Sequence, residues 1–180
     1  MAGTLDWTTA LDRPDLLAPP VAVALAALPA GDAAGVRVAA IDPDLADTAA
    51  FCATYGVRLD LSANCVVLAV KRSGDRALAA CVILATTRAD VNGRARRALD
   101  ARKASFAPMD DAVAATGMEY GGITPVGLPP AWPLLVDAAV AATDRVVVGS
   151  GLRRSKLLLP GALVGSLPGA TVLAGLATPA

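Results

Sequence analysis

Two apolar runs, residues 62–71 and 76–86, are rich in valine, leucine and alanine and are joined by the polar stretch Arg72-Ser73-Gly74-Asp75. Long β-prone runs around a short glycine-containing link predict a hairpin, the clearest pairing in the chain. Upstream, residues 36–41 (VRVAAI) alternate as a strand does, and Asp42-Pro43 then offers an N-cap followed by proline at the first helical position. The spacing predicts a helix over 43–55. Asp42, Asp44 and Asp47 would lie near the positive end of its dipole, with Gly56 just beyond its C-terminus. Residues 1–35 hold short apolar segments separated by prolines, which predicts a helical segment packed on the outside of a domain spanning 36–180.

Downstream of the hairpin a helix is predicted to carry Arg94, Arg96 and Arg97, followed by a short strand at 103–106. A helix over 109–115 ends at Gly117, and a glycine-rich loop follows. Strands are predicted at 134–137, 145–148, 156–159 and 170–173, with a helical turn at 138–143, a Gly149-Ser150-Gly151 turn and a short helix opening at Pro160. Hairpins with interspersed helices predict a single α+β domain built on a mixed, curved, barrel-like sheet.

At 180 residues the chain suits one domain with a real core. Sixteen basic residues balance sixteen acidic ones, so no global field draws the protein to a polyanion. Any phosphate contact must come from a local patch, and Arg94, Arg96, Arg97, Arg102 and Lys103 form a basic concentration along the sequence. Histidine is absent, which excludes Ser-His-Asp and Cys-His nucleophile systems and every histidine-containing zinc site. Cys52, Cys65 and Cys81 are widely spaced with no CxxC pair, which suits a reducing cytoplasm without metal or cofactor; Cys65 and Cys81, in apolar strand-like runs, read as small buried hydrophobes. The apolar C-terminal stretch 157–180 is broken by Pro160, Gly161, Gly165, Pro168 and Gly169, so no membrane span is expected. The first dozen residues carry Asp6 and Asp12 and no basic n-region, so no secretory signal is expected either.

The stretch TGMEYGGITPVGL, residues 116–128, concentrates the candidate chemistry. Gly121, Gly122 and Gly127 permit positive φ and close approach to the backbone, while Pro125 fixes its own φ and pushes Thr124 into an extended conformation. Such a loop can present main-chain N–H groups to a ligand.

The segment from Arg102 to Asp137 resembles the core of the YbaK and prolyl-tRNA-synthetase-associated editing domain family. The resemblance rests on Arg102 and Lys103 before a short strand, Phe106-Ala107-Pro108, Thr116-Gly117, the Gly121 to Gly127 loop, and Leu134 to Asp137. It extends more loosely from about Ile41 to Leu173. It implies a cytosolic, free-standing trans-editing deacylase that binds the acceptor end of an aminoacyl-tRNA and hydrolyses the ester of a mischarged one. It also implies a possible aminoacyl-tRNA synthetase partner, and neither DNA nor membrane. One position departs from the family pattern: Asn64 opens the strand where the family carries its catalytic lysine. A neutral amide donates and accepts hydrogen bonds but brings no positive charge. The alternative reading is therefore a non-catalytic module that binds tRNA or a small ligand.

Ester hydrolysis needs donors for the tetrahedral oxyanion, an aligned water and a grip on the terminal adenosine. The resemblance assigns the first role to the backbone of Gly121, Gly122, Ile123 and Thr124, with Asn64 facing the same pocket. Arg88, Lys103, Ser105, Pro125, Gly127 and Asp137 are the expected substrate-binding residues. Arg88 would reach a phosphate, and Asp137 would either activate the water or cap the next helix. The substrate's own ribose hydroxyl or amine is the other candidate base. Glu119 reads as solvated, and Ser105 and Thr124 read as hydrogen-bonding hydroxyls because no histidine activates them.

Overall fold

A computed structural model of the chain describes residues 3–72 and 75–180. From the N-terminus come a two-residue strand β1 (Thr8–Thr9), two turns of 3-10 helix, and the helices α1 (Pro19–Ala26) and α2 (Ala30–Gly35). β2 (Arg37–Ala40) follows. The next helix differs from the sequence expectation. Asp42 caps a 3-10 turn at Pro43–Leu45, the chain breaks, and Asp47 caps the true helix α3 (Thr48–Tyr55), accepting from the amides of Ala49 and Ala50. Two capping aspartates in one segment start two elements, because each side chain competes for the amides beyond it. Gly56 ends α3 with φ +66°.

The hairpin forms β3 (Ala63–Arg72) and β4 (Asp75–Leu84), antiparallel from Ala63 opposite Leu84 to Arg72 opposite Asp75. Ser73 and Gly74 of its predicted link lie outside the described residues. β5 (Thr87–Ala89), a π-turn, α4 (Arg96–Ala98), β6 (Lys103–Phe106) and α5 (Met109–Thr116) lead to the glycine loop. Beyond it come β7 (Leu134–Asp137), α6 (Ala138–Ala141), β8 (Arg145–Gly149), β9 (Ser155–Pro160), α7 (Gly161–Gly165), β10 (Ala170–Leu173) and β11 (Ala177–Pro179).

Among the described residues these strands make a five-stranded mixed sheet, β10-β7-β4-β3-β6, and a four-stranded antiparallel sheet, β1-β2-β9-β8. β5 and β11 pair as a small ribbon. The two larger sheets meet where Ser62 bridges Val147. The α+β class agrees with the sequence expectation, and side-chain alternation explains the cores. Ala80, Val82, Leu134 and Val136 face one cluster together with Val38, Val146, Val148, Leu157 and Leu159 from the second sheet. The residues of opposite parity, Ala79, Cys81, Ile83 and Leu135, face a second cluster under Val91, Ala95, Leu99 and Leu176.

The N-terminal segment does not merely cover the outside. Leu16, Leu17, Ala18, Val21 and Leu25 are buried in the main core, and β1 extends the second sheet. Val21 and Leu25 stand one helical turn apart, and full burial of one such side chain is worth roughly 2 kcal/mol.

Candidate functional site

Strand β3 pairs with β6 only from Leu68 onward, and its entry is tied to β8 at Ser62. Between these two points its outer edge takes one further backbone bond, Ala107 N–H to the Val67 carbonyl at 2.9 Å, and has no other ladder partner among the described residues. Residues 63–67 instead line a cavity of about 440 Å³. The opposite walls come from Val147, Val148 and Gly149 of β8 and from Asp47 and Thr48 at the start of α3. Tyr120, Gly121 and Ile123 of the glycine loop complete it. Phe106, Met109 and Tyr120 stand at this cavity with 64%, 51% and 59% of their surfaces exposed, an apolar and partly aromatic rim.

The loop is laced to the turn after β8. The Gly122 amide donates to the Glu119 carbonyl at 2.9 Å, closing a turn whose third residue, Gly121, has φ +83°. Gly151 N–H donates to the Gly122 carbonyl, and Glu119 N–H donates to the Gly151 carbonyl, each at 2.8 Å. A Cβ on Gly122 would lie 2.6 Å from the carbonyl carbon of Leu152, and one on Gly149 would lie 2.2 Å from the Gly122 oxygen. These glycines are required by close backbone approach. Gly122 therefore spends its amide within the protein, whereas the amides of Gly121 and Ile123 have no partner among the described residues and belong to the cavity wall. Thr124 is fully buried, and its hydroxyl has no partner among the described residues.

The charge in this cavity comes from residues the sequence reading did not single out. Lys156, 7% exposed, reaches into it from β9. Its Nζ donates to the Ala46 carbonyl at 2.9 Å and sits 5.2 Å from the Phe51 ring centroid. Burial lowers its pKa, with Cys52 and Asp47 opposing that shift. Arg153 stands at the same cavity, donating to the carbonyls of Tyr120 and Pro43. Asp47 is the sole carboxylate among the lining residues, so the wall carries one net positive charge. Asn64 lines it too. The Asn64 amide oxygen accepts from the Thr48 hydroxyl at 2.7 Å, while its NH₂ has no partner among the described residues. The sequence signal for Lys156 was a single ammonium inside the apolar run SKLLLP, a pattern that places it on a buried strand.

Cysteine chemistry is unfavourable here. Burial raises the Cys65 thiol, helped by Cys81, and pushes Cys81 up to about 12, so both stay protonated near neutrality. Among the described residues no group of three His, Cys, Asp or Glu side chains could hold a metal ion.

The remaining expected residues lie elsewhere. Asp137 caps α6 through one oxygen, accepting from Ala139 N–H, and accepts from Ala177 N–H through the other, which fixes the C-terminal strand. Arg88 is in β5 opposite Thr178. Pro125 is buried, and Gly127, with φ +80°, packs against the backbone of Pro20. Lys103 and Ser105 line a second cavity farther along β3. Arg94 and Arg96 donate to backbone carbonyls, so the run of arginines in sequence is partly used in holding turns.

A sequence model of the aminoacyl-tRNA editing domain matches residues 42–165, more than half of the chain. No curated protein matches it. Among solved structures, a candidate trans-editing enzyme for prolyl tRNA synthetase superposes with TM-score 0.71 at 20% identity, over 88% of this chain and 97% of that one. A protein described only as hypothetical gives TM-score 0.69 at 23% identity, over 79% and 91%. A candidate signal transduction protein from Marinobacter aquaeolei gives 0.56 at 18%, over 88% of this chain and 30% of its own. At these identities the likeness is one of fold. No helix among the described residues is long and apolar enough to cross a membrane.

Proposed function

Because this chain belongs to the aminoacyl-tRNA editing domain family, we propose that it is a free-standing deacylase that hydrolyses the ester of mischarged tRNA. The observation that carries this reading is Lys156, a buried ammonium held against a cavity large enough for an aminoacyl group and the end of a nucleotide chain. It supplies from β9 the positive charge that Asn64 cannot. The exposed rings of Phe106 and Tyr120 offer stacking surfaces for the terminal base, a contact worth about 1–3 kcal/mol per base.

With the ester carbonyl in the cavity, its oxygen points to the Lys156 ammonium, the Asn64 NH₂ and the amides of Gly121 and Ile123. These donors are fixed before the reaction, so charge developing on that oxygen meets them without reorganisation. Water adds to the carbonyl carbon and gives its proton to Asp47, the one carboxylate at hand. Collapse breaks the ester C–O bond, the ribose oxygen takes the proton back, and the free amino acid and tRNA leave. The reading places the protein in the cytoplasm, where its three unpaired cysteines stay reduced. A synthetase that mischarges the tRNA is the natural partner.

The second reading, a binding module without catalysis, is favoured by the neutral residue at position 64. A panel of mischarged tRNAs separates the two. Release of amino acid from at least one above the uncatalysed rate supports the deacylase, and background rates throughout support the module.

A further inference from the structure

Strand register assembles a basic site that the sequence order hides. Lys71 of β3 lies directly opposite Arg76 of β4 on one side and Lys103 of β6 on the other. Directly opposed residues point to the same face, so three cations stand in a row across three adjacent strands. Together with Ser105 they line a cavity of about 280 Å³. All four are exposed. Among the described residues none of the four side chains forms an ion pair or hydrogen bond; the ion pairs there are Arg13–Asp15 and Arg58–Asp60.

Like charges directly opposed on a sheet destabilise it. Protection of an open edge against aggregation accounts for a lysine on β6, the last strand of its sheet, and for Arg76, whose outer side β7 does not reach, but not for Lys71, which is paired on both sides. An anion spanning the row accounts for all three. The spacing along β3 points the same way. Val67 lines the first cavity and Lys71 the second, four residues apart, which is roughly 13 Å at the usual strand rise. A nucleic-acid strand whose last residue enters the first cavity would carry its preceding phosphates over this row.

We propose that Lys71, Arg76 and Lys103 form a phosphate-binding track for the acceptor arm of tRNA, leading into the cavity where the ester is held. The track rests on the deacylase reading for its partner but not for its chemistry, since binding of uncharged tRNA involves no reaction. The test is binding of fluorescently labelled deacylated tRNA to the full chain across a salt series, with wild type, Lys71→Gln, Arg76→Gln and the triple glutamine variant. Each neutralised cation should lower the slope of log Kobs against log salt by about 0.7–0.9, and the triple variant should bind at least tenfold more weakly at low salt. Melting curves serve as the folding control, and removing opposed like charges should leave them unchanged or raised. A wild-type slope in the triple variant overturns the track and leaves the deacylase reading standing. A track whose loss weakens binding of polyglutamate but not of tRNA would belong to an acidic protein partner, which also overturns it. If wild type hydrolyses no ester yet shows the predicted slopes, the track stands and the deacylase reading falls.

Discussion

The hydroxyl of Thr48 donates to the amide oxygen of Asn64 across 2.7 Å. The bond joins the first turn of α3 to the outer edge of β3 and leaves the Asn64 NH₂ at the cavity as a donor without a partner among the described residues. Asn64→Asp replaces that donor with a carboxylate aimed at a developing negative charge. Deacylation should fall by about 100-fold, the scale of losing one oxyanion donor, with little change in melting temperature. Single-turnover release of labelled amino acid measures it, and an unchanged rate would remove Asn64 from the reaction.

Lys156→Met keeps the length of the side chain and removes its charge. The same scale of roughly 100- to 1000-fold loss in rate is expected. The fold should hold or gain stability, because the buried ammonium has no salt-bridge partner among the described residues to repay its desolvation. Asn64→Lys added to Lys156→Met should recover part of the activity by restoring a cation from the neighbouring wall. In wild type the same change should bring no gain, since two ammonium groups would repel within one cavity.

The pH dependence follows from burial of Lys156, which lowers its pKa below the ordinary 10.5. Between the lowered folded value and 10.5 the unfolded chain holds the proton that the folded chain has released, so wild-type stability rises with pH across that window. The stability gained by Lys156→Met should therefore be largest below the folded value and shrink towards pH 10.5. Denaturant melts at neutral and alkaline pH check this, and a gain that does not shrink would contradict it. Deacylation above background should decline over the same window as the ammonium is lost.

Gly149→Ala should cost about 3 kcal/mol, the upper range of overpacking, because the new methyl would meet the Gly122 carbonyl oxygen at 2.2 Å. Gly31→Ala is the contrast. It lies inside α2 with nothing within 4 Å of the added carbon, so it should stabilise by roughly 0.5–1 kcal/mol. Chemical denaturation of both variants tests whether the loop is held by backbone approach. Gly122→Val meets the Leu152 backbone in the same way, and its loss of activity would report folding as much as chemistry.

Much of this architecture was legible because period-two runs are punctuated by glycine and proline. β6, β7 and β10 coincide with their predicted spans, and Gly56 and Gly117 end their helices with positive φ as expected. β5 and β11 were not legible. Each has three residues, and they pair across nearly ninety positions, so no local pattern marks them. The sequence predicts the N-terminal segment as a covering layer, because prolines mask the Val21–Leu25 spacing that buries it. At the site, Asn64, Gly121 and Ile123 line one cavity, whereas Lys103 and Ser105 line another. The run SKLLLP places Lys156 on a buried strand, but which cavity its ammonium enters is set by tertiary packing and has no local signal. The row of Lys71, Arg76 and Lys103 depends on register, which no single segment states.

The role proposed for the buried Lys156 of β9 is to serve the ester carbonyl. Its most direct test is the single-turnover deacylation rate of wild type and Lys156→Met on the mischarged tRNA that wild type cleaves fastest, with both proteins shown to be folded. Wild-type release is expected well above background, with the variant at least about 100-fold slower. Equal rates in the two proteins would contradict it, as would background release by wild type on every tRNA offered.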